Sequence, residues 1–136
     1  MKWLAFLLLF ATRVFAEEET IPLYSMTHFI NGVGSKVTFT IPASRFFEVP
    51  TWTPADGAPP LDVVREYQIA CGAFQGQVKR PTLNKAEMRS RNRRWWFVLE
   101  FNERLPGFAP CSAVVVLMNG MTVLPKVSPE ATIFSK

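Results

Sequence analysis

The apolar and polar positions between Arg94 and Val127 predict three consecutive antiparallel strands. From Trp95 to Phe101 the alternate residues Trp95, Phe97, Leu99 and Phe101 are all apolar, which at a two-residue side-chain period defines one face that must be buried. The other face, Arg94, Trp96, Val98 and Glu100, is mixed and could meet solvent or a partner. Ala113 to Met118 and Met121 to Val127 are two further strand-like runs, with Asn119-Gly120 between them at the spacing of a two-residue type I′ hairpin. Asn102 to Pro110, with Pro106-Gly107, reads as the longer loop between the first two strands.

Upstream, Lys36 to Ile41 alternates cleanly, with Val37, Phe39 and Ile41 on one side and Lys36, Thr38 and Thr40 on the other. Leu23 to Ile30 reads as a strand of mixed polarity and Asn31 to Ser35 as a turn, so an N-terminal hairpin is expected after a frayed acidic end at Glu17 to Glu19. Pro42 to Pro60 carries five prolines together with Phe46, Phe47 and Trp52, too much apolar surface for a free linker, and is expected to lie across the body of the domain. Pro59-Pro60-Leu61-Asp62 has the make-up of a helix start. The helix would end near Phe74, with Val63, Tyr67, Ala70, Cys71 and Phe74 on its apolar stripe and Arg65, Glu66 and Gln68 off it. A strand through Val63 to Ile69 competes with it. Gln77 to Arg93 reads either as a strand through Val78 to Met88 or as a short helix capped by Asn84, and the strand is preferred because the following one needs a neighbour. The expected fold class is α+β: one helix packed on an antiparallel sheet of about four strands, with an additional N-terminal β-hairpin.

Residues 1–16 have the three parts of a secretory leader: basic Lys2, an apolar run from Trp3 to Ala11, and Val14-Phe15-Ala16 before Glu17. The apolar run is too short to span a bilayer, so no transmembrane anchor is expected in the mature form, and the destination is periplasmic or secreted. Residues 17–136 would then be a single α+β domain, with hairpin and covering segment in 17–60 and the helix-and-sheet core in 61–136. The whole chain has 15 basic and 11 acidic side chains; loss of Lys2 and Arg13 would leave a net charge of +2, too little to argue for nucleic acid by bulk electrostatics. In an oxidising compartment Cys71 and Cys111 are expected to form a disulfide, closing a ring of about 40 residues. A redox-active or nucleophilic thiol is the alternative, without a CxxC spacing or neighbouring histidine to favour it.

Candidate chemistry is sparse. The single histidine, His28, shares a strand side with Tyr24, Met26 and Ile30, and a small envelope hydrolase would have to use it with a carboxylate. Spacing assembles no metal site, implies no cofactor, and offers no GxSxG elbow. Carboxylate pairs such as Glu48 with Asp56 or Asp62 with Glu66 are of a kind that solvated surfaces commonly carry. The sharpest local feature is Arg89, Arg91, Arg93 and Arg94, directly before Trp95-Trp96: guanidinium forks and ring faces suit a polyanion or anionic glycan, or else they solvate a turn beside an apolar strand. Trp96 and Trp52 could anchor a partner, or the proline-rich segment could cover Trp96 with Trp52 or Phe46; the covering is preferred, because a single domain seldom leaves a large aromatic patch in water.

The order of an amphipathic helix with REYQIA, a polar segment, RWWFVLEF and AVVVLMNGMTVLP resembles the PepSY-like domains, small exported bacterial modules with one helix on an antiparallel sheet. The resemblance covers about residues 61–127; Leu117-Met118-Asn119 stands where the family usually has an acidic residue before the turn glycine, and a cystatin-like helix-on-sheet domain describes the pattern nearly as well. It implies a non-catalytic binding or inhibitory module, often connected with exported proteases, and it neither identifies a partner nor supplies site residues; the expected function is an exported binding, inhibitory or structural module with an envelope or extracellular protein as partner.

Overall fold

Asn31 and Gly32 take φ values of 52° and 77°, the left-handed pair that a type I′ turn requires, and they close the N-terminal hairpin in two residues. Because this turn is tighter than the predicted Asn31 to Ser35, the strands are longer: β1 is Thr20–Ile30 and β2 is Val33–Pro42. The computed structural model describes residues 17–129; the predicted leader, residues 1–16, lies outside the described residues. Glu18 and Glu19 are not frayed. The Glu18 carboxylate accepts from the Ser44 amide at 2.9 Å and the Glu19 carbonyl from that of Ala43 at 2.9 Å, tying the acidic end onto a short helix α1, Ala43–Phe47. These hydrogen bonds from Ser44 hold the Glu18 carboxyl below the ordinary range.

Helix α2 is Val63–Gly72, capped by Asp62, whose side chain accepts from the Arg65 amide at 2.7 Å. Its buried line differs from the expected stripe. Glu66, Ala70 and, past the helix end, Phe74 are fully buried, whereas Val63 is 56% exposed. Those three residues are four apart and so stack along one face, and the small Ala70 side chain lets the backbone approach the sheet.

The remaining strands are β3, Leu83–Arg91; β4, Arg94–Phe101; β5, Ala113–Leu117; β6, Thr122–Val123; and β7, Lys126–Pro129. Residues 83–91 are thus strand, displaced toward the C-terminus from the expected 78–88, and Asn92-Arg93, both at positive φ, turn the chain into β4. The protein is α+β with two antiparallel sheets and few helices: a four-stranded sheet β3-β4-β5-β6 and a three-stranded sheet β1-β2-β7. The hairpin is therefore part of a second sheet rather than an appendage. The expected last strand, Met121 to Val127, breaks at Leu124-Pro125, where proline removes the ladder's N–H donor, and β7 crosses to pair with β2. Asn119-Gly120 is not a type I′ pair either. The Gly120 amide donates to the Leu117 carbonyl at 2.9 Å and Gly120 alone is left-handed, at φ 84°, which is the three-residue loop built on a type I turn.

Both faces of β4 are covered; of the two readings of its second face, the covering one holds for Trp96, against which Phe46 of the proline-rich segment packs, and the partner-facing one does not. Phe97, Leu99 and Phe101 point toward α2, with the Phe101 ring 5.0 Å from that of Phe74. Trp96 and Val98 point toward the three-stranded sheet, and the Trp96 indole donates to the Leu23 carbonyl at 3.1 Å. From α1, Phe46 packs edge-on against Trp96 at 6.2 Å. One continuous apolar core results, with residues from both sheets, α1 and α2.

Candidate functional site

The arginine–tryptophan cluster is dispersed by the fold. Arg94 turns inward, donating to the Val49 and Phe47 carbonyls at 3.1 and 3.4 Å with its guanidinium over the Phe47 ring. Trp96 is buried, and Trp52 packs edge-on against Trp95, whose indole donates to the Trp52 carbonyl at 2.6 Å. The proline-rich segment thus covers β4 with Phe46 over Trp96 and Trp52 beside Trp95. Arg91 and Arg93 stay exposed at the β3–β4 turn. Arg89 goes elsewhere, to the rim of a depression on the three-stranded sheet.

Cys71 and Cys111, expected to pair, are both free thiols. Cys111 sits in a loop fixed by its own backbone bonds to Phe108 and Leu105, and this aims its buried Sγ at the Ala113 carbonyl, 3.3 Å away. Burial raises that thiol's pKa, so it is neutral and poorly nucleophilic. Cys71 is half-buried on α2.

His28 lies on the inner side of β1 with Tyr24 and Met26; its Nε2 is buried, and no carboxylate among the described residues hydrogen-bonds to it. No group of three or more metal-ligating side chains occurs among the described residues, and no helix there is long and apolar enough to cross a membrane. Glu66, expected off the apolar stripe of α2, is fully buried, and neither carboxyl oxygen has a hydrogen-bond partner among the described residues. Burial first, and the neighbouring Asp62 charge second, push its pKa up to about 9, so the group is a neutral acid at pH 7. With no opening to solvent it can exchange no proton with a substrate in this conformation.

What remains open is the outer face of the sheet β1-β2-β7. Because Val37, Phe39 and Ile41 are buried, the intervening Lys36, Thr38 and Thr40 point away from the core. Register places Ser25 opposite Thr38 and Thr27 opposite Lys36 on β1, and Lys126 opposite Thr38 and Ser128 opposite Lys36 on β7. Directly paired residues share a face, so among the described residues this surface gathers five hydroxyls and two ammonium groups, and no described strand residue contributes a carboxylate to it. Phe29, 69% exposed, continues the Ser25–Thr27 row toward the hairpin tip, opposite Gly34.

At its other end the face is concave. The β1–β2 register slips between Pro22 and Tyr24, and beside this bulge lies a depression of about 320 Å³ lined by Pro22, Ser25, Lys36, Thr38, Thr40 and Arg89. A bulge bends its strand and re-aims side chains, which accounts for the hollow. Arg89 is held there from below: its guanidinium lies 4.9 Å from the Tyr24 ring centre and pairs with Glu87 at 3.2 Å. The Tyr24 hydroxyl donates to Glu100 at 2.5 Å, and burial, reinforced by that carboxylate, raises the phenol's pKa to about 12. The Arg89 guanidinium lowers the pKa of Glu87, keeping that carboxylate charged. Tyr24 is therefore a clamp between β1 and β4 and a seat for Arg89. It is not an acid–base group at neutral pH.

Sequence alternation had already separated Lys36, Thr38 and Thr40 from the core side of β2. It missed the contribution of Lys126 and Ser128, because nothing local says that the chain after Pro125 returns to β2. Comparison with protein-family models, with curated proteins and with solved structures finds no match to this chain.

Proposed function

We propose that the protein is an exported, non-catalytic binding module whose ligand surface is the outer face of the β1-β2-β7 sheet. The observation that carries the reading is the depression bounded by Lys36, Thr38, Thr40, Ser25 and Arg89, which opens onto a hydroxyl- and lysine-bearing sheet face. Its volume is at the lower end of the range for small-ligand sites. The leader-like pattern of residues 1–16 supports export to the periplasm or medium, and the packing of α2 against β4 and β5 of the four-stranded sheet supports the PepSY-like, helix-on-sheet resemblance, with its implied binding or inhibitory role.

A second reading has its own observation. Asn92 and Arg93, in left-handed conformation, leave Arg91 and Arg93 exposed on a tight turn, an arrangement suited to nonspecific contact with a polyanion. A polymer and glycan array probed with the wild type, a Lys36→Glu/Lys126→Glu variant and an Arg91→Glu/Arg93→Glu variant separates the two. Loss of signal confined to the first variant supports the sheet face, loss confined to the second moves the site to the turn, and no signal from any form removes both.

A further inference from the structure

We infer that the outer face of the β1-β2-β7 sheet takes an acidic glycan, a sugar polymer carrying carboxylates, and this rests on the proposed reading of that face as the ligand surface. Three features of different chemistry converge there. The first is charge. Lys36 and Lys126 occupy diagonal positions on adjacent strands, Lys36 being paired with Ser128 and Lys126 with Thr38. Their Cα atoms are thus separated by roughly 7 Å, close enough to receive neighbouring anionic groups of one chain. Both are exposed, and neither has a salt-bridge partner among the described residues. By contrast, Arg89 is already neutralised by Glu87, so at the rim it contributes directed N–H donors more than net charge.

The second feature is the hydroxyl field. Ser25, Thr27 and Thr40 are short donors and acceptors fixed on a pleated surface, while the Thr38 and Ser128 hydroxyls donate to the Lys126 and Lys36 carbonyls and are left as acceptors; such a field matches a ligand rich in hydroxyls better than a bare phosphate or sulfate ion. Third, the face ends in an exposed aromatic ring. Phe29 continues the outer row of β1 and faces Gly34 across the ladder, so no side chain from β2 lies over it. A flat apolar ring at the end of a hydroxyl-bearing strip suits the C–H face of a sugar and offers nothing to a simple anion. Lysines alone would indicate any polyanion, and hydroxyls with an aromatic ring alone would indicate any sugar. The coincidence of all three on one face selects the sugar that is also an acid.

The same carboxylated sugar could arrive as a free uronic acid or as a unit of a polysaccharide. Lys36 and Phe29 stand on one face at different heights along the hairpin, which favours the chain. The test uses galacturonic acid, a galacturonate hexamer, an uncharged galactose oligomer of the same length and linear polyphosphate, each titrated calorimetrically at low and physiological salt. The expected result is measurable binding of the hexamer, at least tenfold weaker binding of the monomer and of the uncharged oligomer, and at least tenfold loss of hexamer affinity in Lys36→Met/Lys126→Met. Phe29→Ala should weaken the hexamer severalfold and leave polyphosphate unaffected; unchanged circular dichroism and melting temperature verify that these exposed substitutions leave the fold intact.

Equal affinity for polyphosphate and hexamer, unaffected by Phe29→Ala, would overturn the inference in favour of plain ion exchange. Binding of the uncharged oligomer as tightly as the hexamer would overturn its acidic part while leaving the face as a sugar site. Monomer binding as tight as the hexamer would assign the depression alone to a free uronic acid. If the hexamer binds Lys36→Met/Lys126→Met and Phe29→Ala as tightly as the wild type, or if no probe binds at all, the reading of that face as the ligand surface falls together with the inference.

Discussion

Replacing Glu66 by glutamine should stabilise the protein at neutral pH and do almost nothing in acid. The carboxyl is fully buried, neither of its oxygens has a partner among the described residues, and its pKa is pushed up to about 9 from an ordinary 4.5. Below pH 4.5 the group is protonated folded or unfolded and does not bias the equilibrium. Between pH 4.5 and 9 the unfolded chain ionises while the folded one stays protonated, so stability falls with rising pH by about 1.4 kcal/mol per unit. Over the 2.5 units from 4.5 to 7 this amounts to about 3 kcal/mol, a large part of the roughly 5–15 kcal/mol that holds a domain together. Glutamine is close to isosteric with the protonated acid and cannot ionise. Glu66→Gln should therefore match the wild type in urea unfolding at pH 4.5 and exceed it by about 3 kcal/mol at pH 7, the gap widening toward pH 9. Glu66→Met, which also removes the unpartnered oxygens, should add roughly 1–3 kcal/mol at every pH. Parallel unfolding curves for wild type and Glu66→Gln at pH 4.5 and pH 7.5 would falsify the reasoning, since they would mean a carboxyl solvated or paired in the folded state.

Three further outcomes are expected. Tyr24→Phe should cost about 1–2 kcal/mol through loss of the hydrogen bond to Glu100, and ultraviolet titration should find one phenol in the wild type that resists ionisation until about pH 12. Arg94→Ala should destabilise by roughly 1–3 kcal/mol because two backbone carbonyls and the Phe47 ring lose their partner, while Arg91→Ala stays within about 0.5 kcal/mol; equal effects would contradict the division between inward and exposed arginines. Thiol titration should count two reactive cysteines in denaturant but leave Cys111 unreacted in the native protein, and a protein with no titratable thiol in denaturant would restore the disulfide.

How much of this was legible in the sequence depends on the range of the interaction that decides each feature. The period-two alternation of Trp95 to Phe101 and of Lys36 to Ile41 gave β4 and β2 correctly, since one face of each strand is buried and the side-chain period registers that directly. The covering of Trp96 by Phe46 was legible in the apolar residues of the proline-rich segment, whereas the part played by the three-stranded sheet was not: the Leu23 carbonyl that accepts from the Trp96 indole is 73 residues away in the chain. The two Asn-Gly dipeptides are identical in sequence, yet only Asn31-Gly32 forms the two-residue turn, because the chain after Gly120 must divide between two sheets at Pro125. The apolar stripe drawn through Val63, Tyr67, Ala70, Cys71 and Phe74 leaves Glu66 off it, whereas the buried line runs through Glu66 itself. A carboxyl that accepts burial by staying protonated leaves no pattern in a hydropathy reading. The arginine cluster was the strongest local signal for a site, and the fold uses its members for three different purposes.

Where a ligand touches the molecule tests the sheet-face site most directly. Amide chemical shifts should be followed while the galacturonate hexamer, the uncharged galactose oligomer and linear polyphosphate are added in turn to the labelled protein. The account predicts that perturbations cluster at Ser25, Thr27, Phe29, Lys36, Thr38, Thr40 and Lys126, with Arg91 and Arg93 unmoved. Perturbations centred on the β3–β4 turn, or spectra unchanged by every probe, would contradict it.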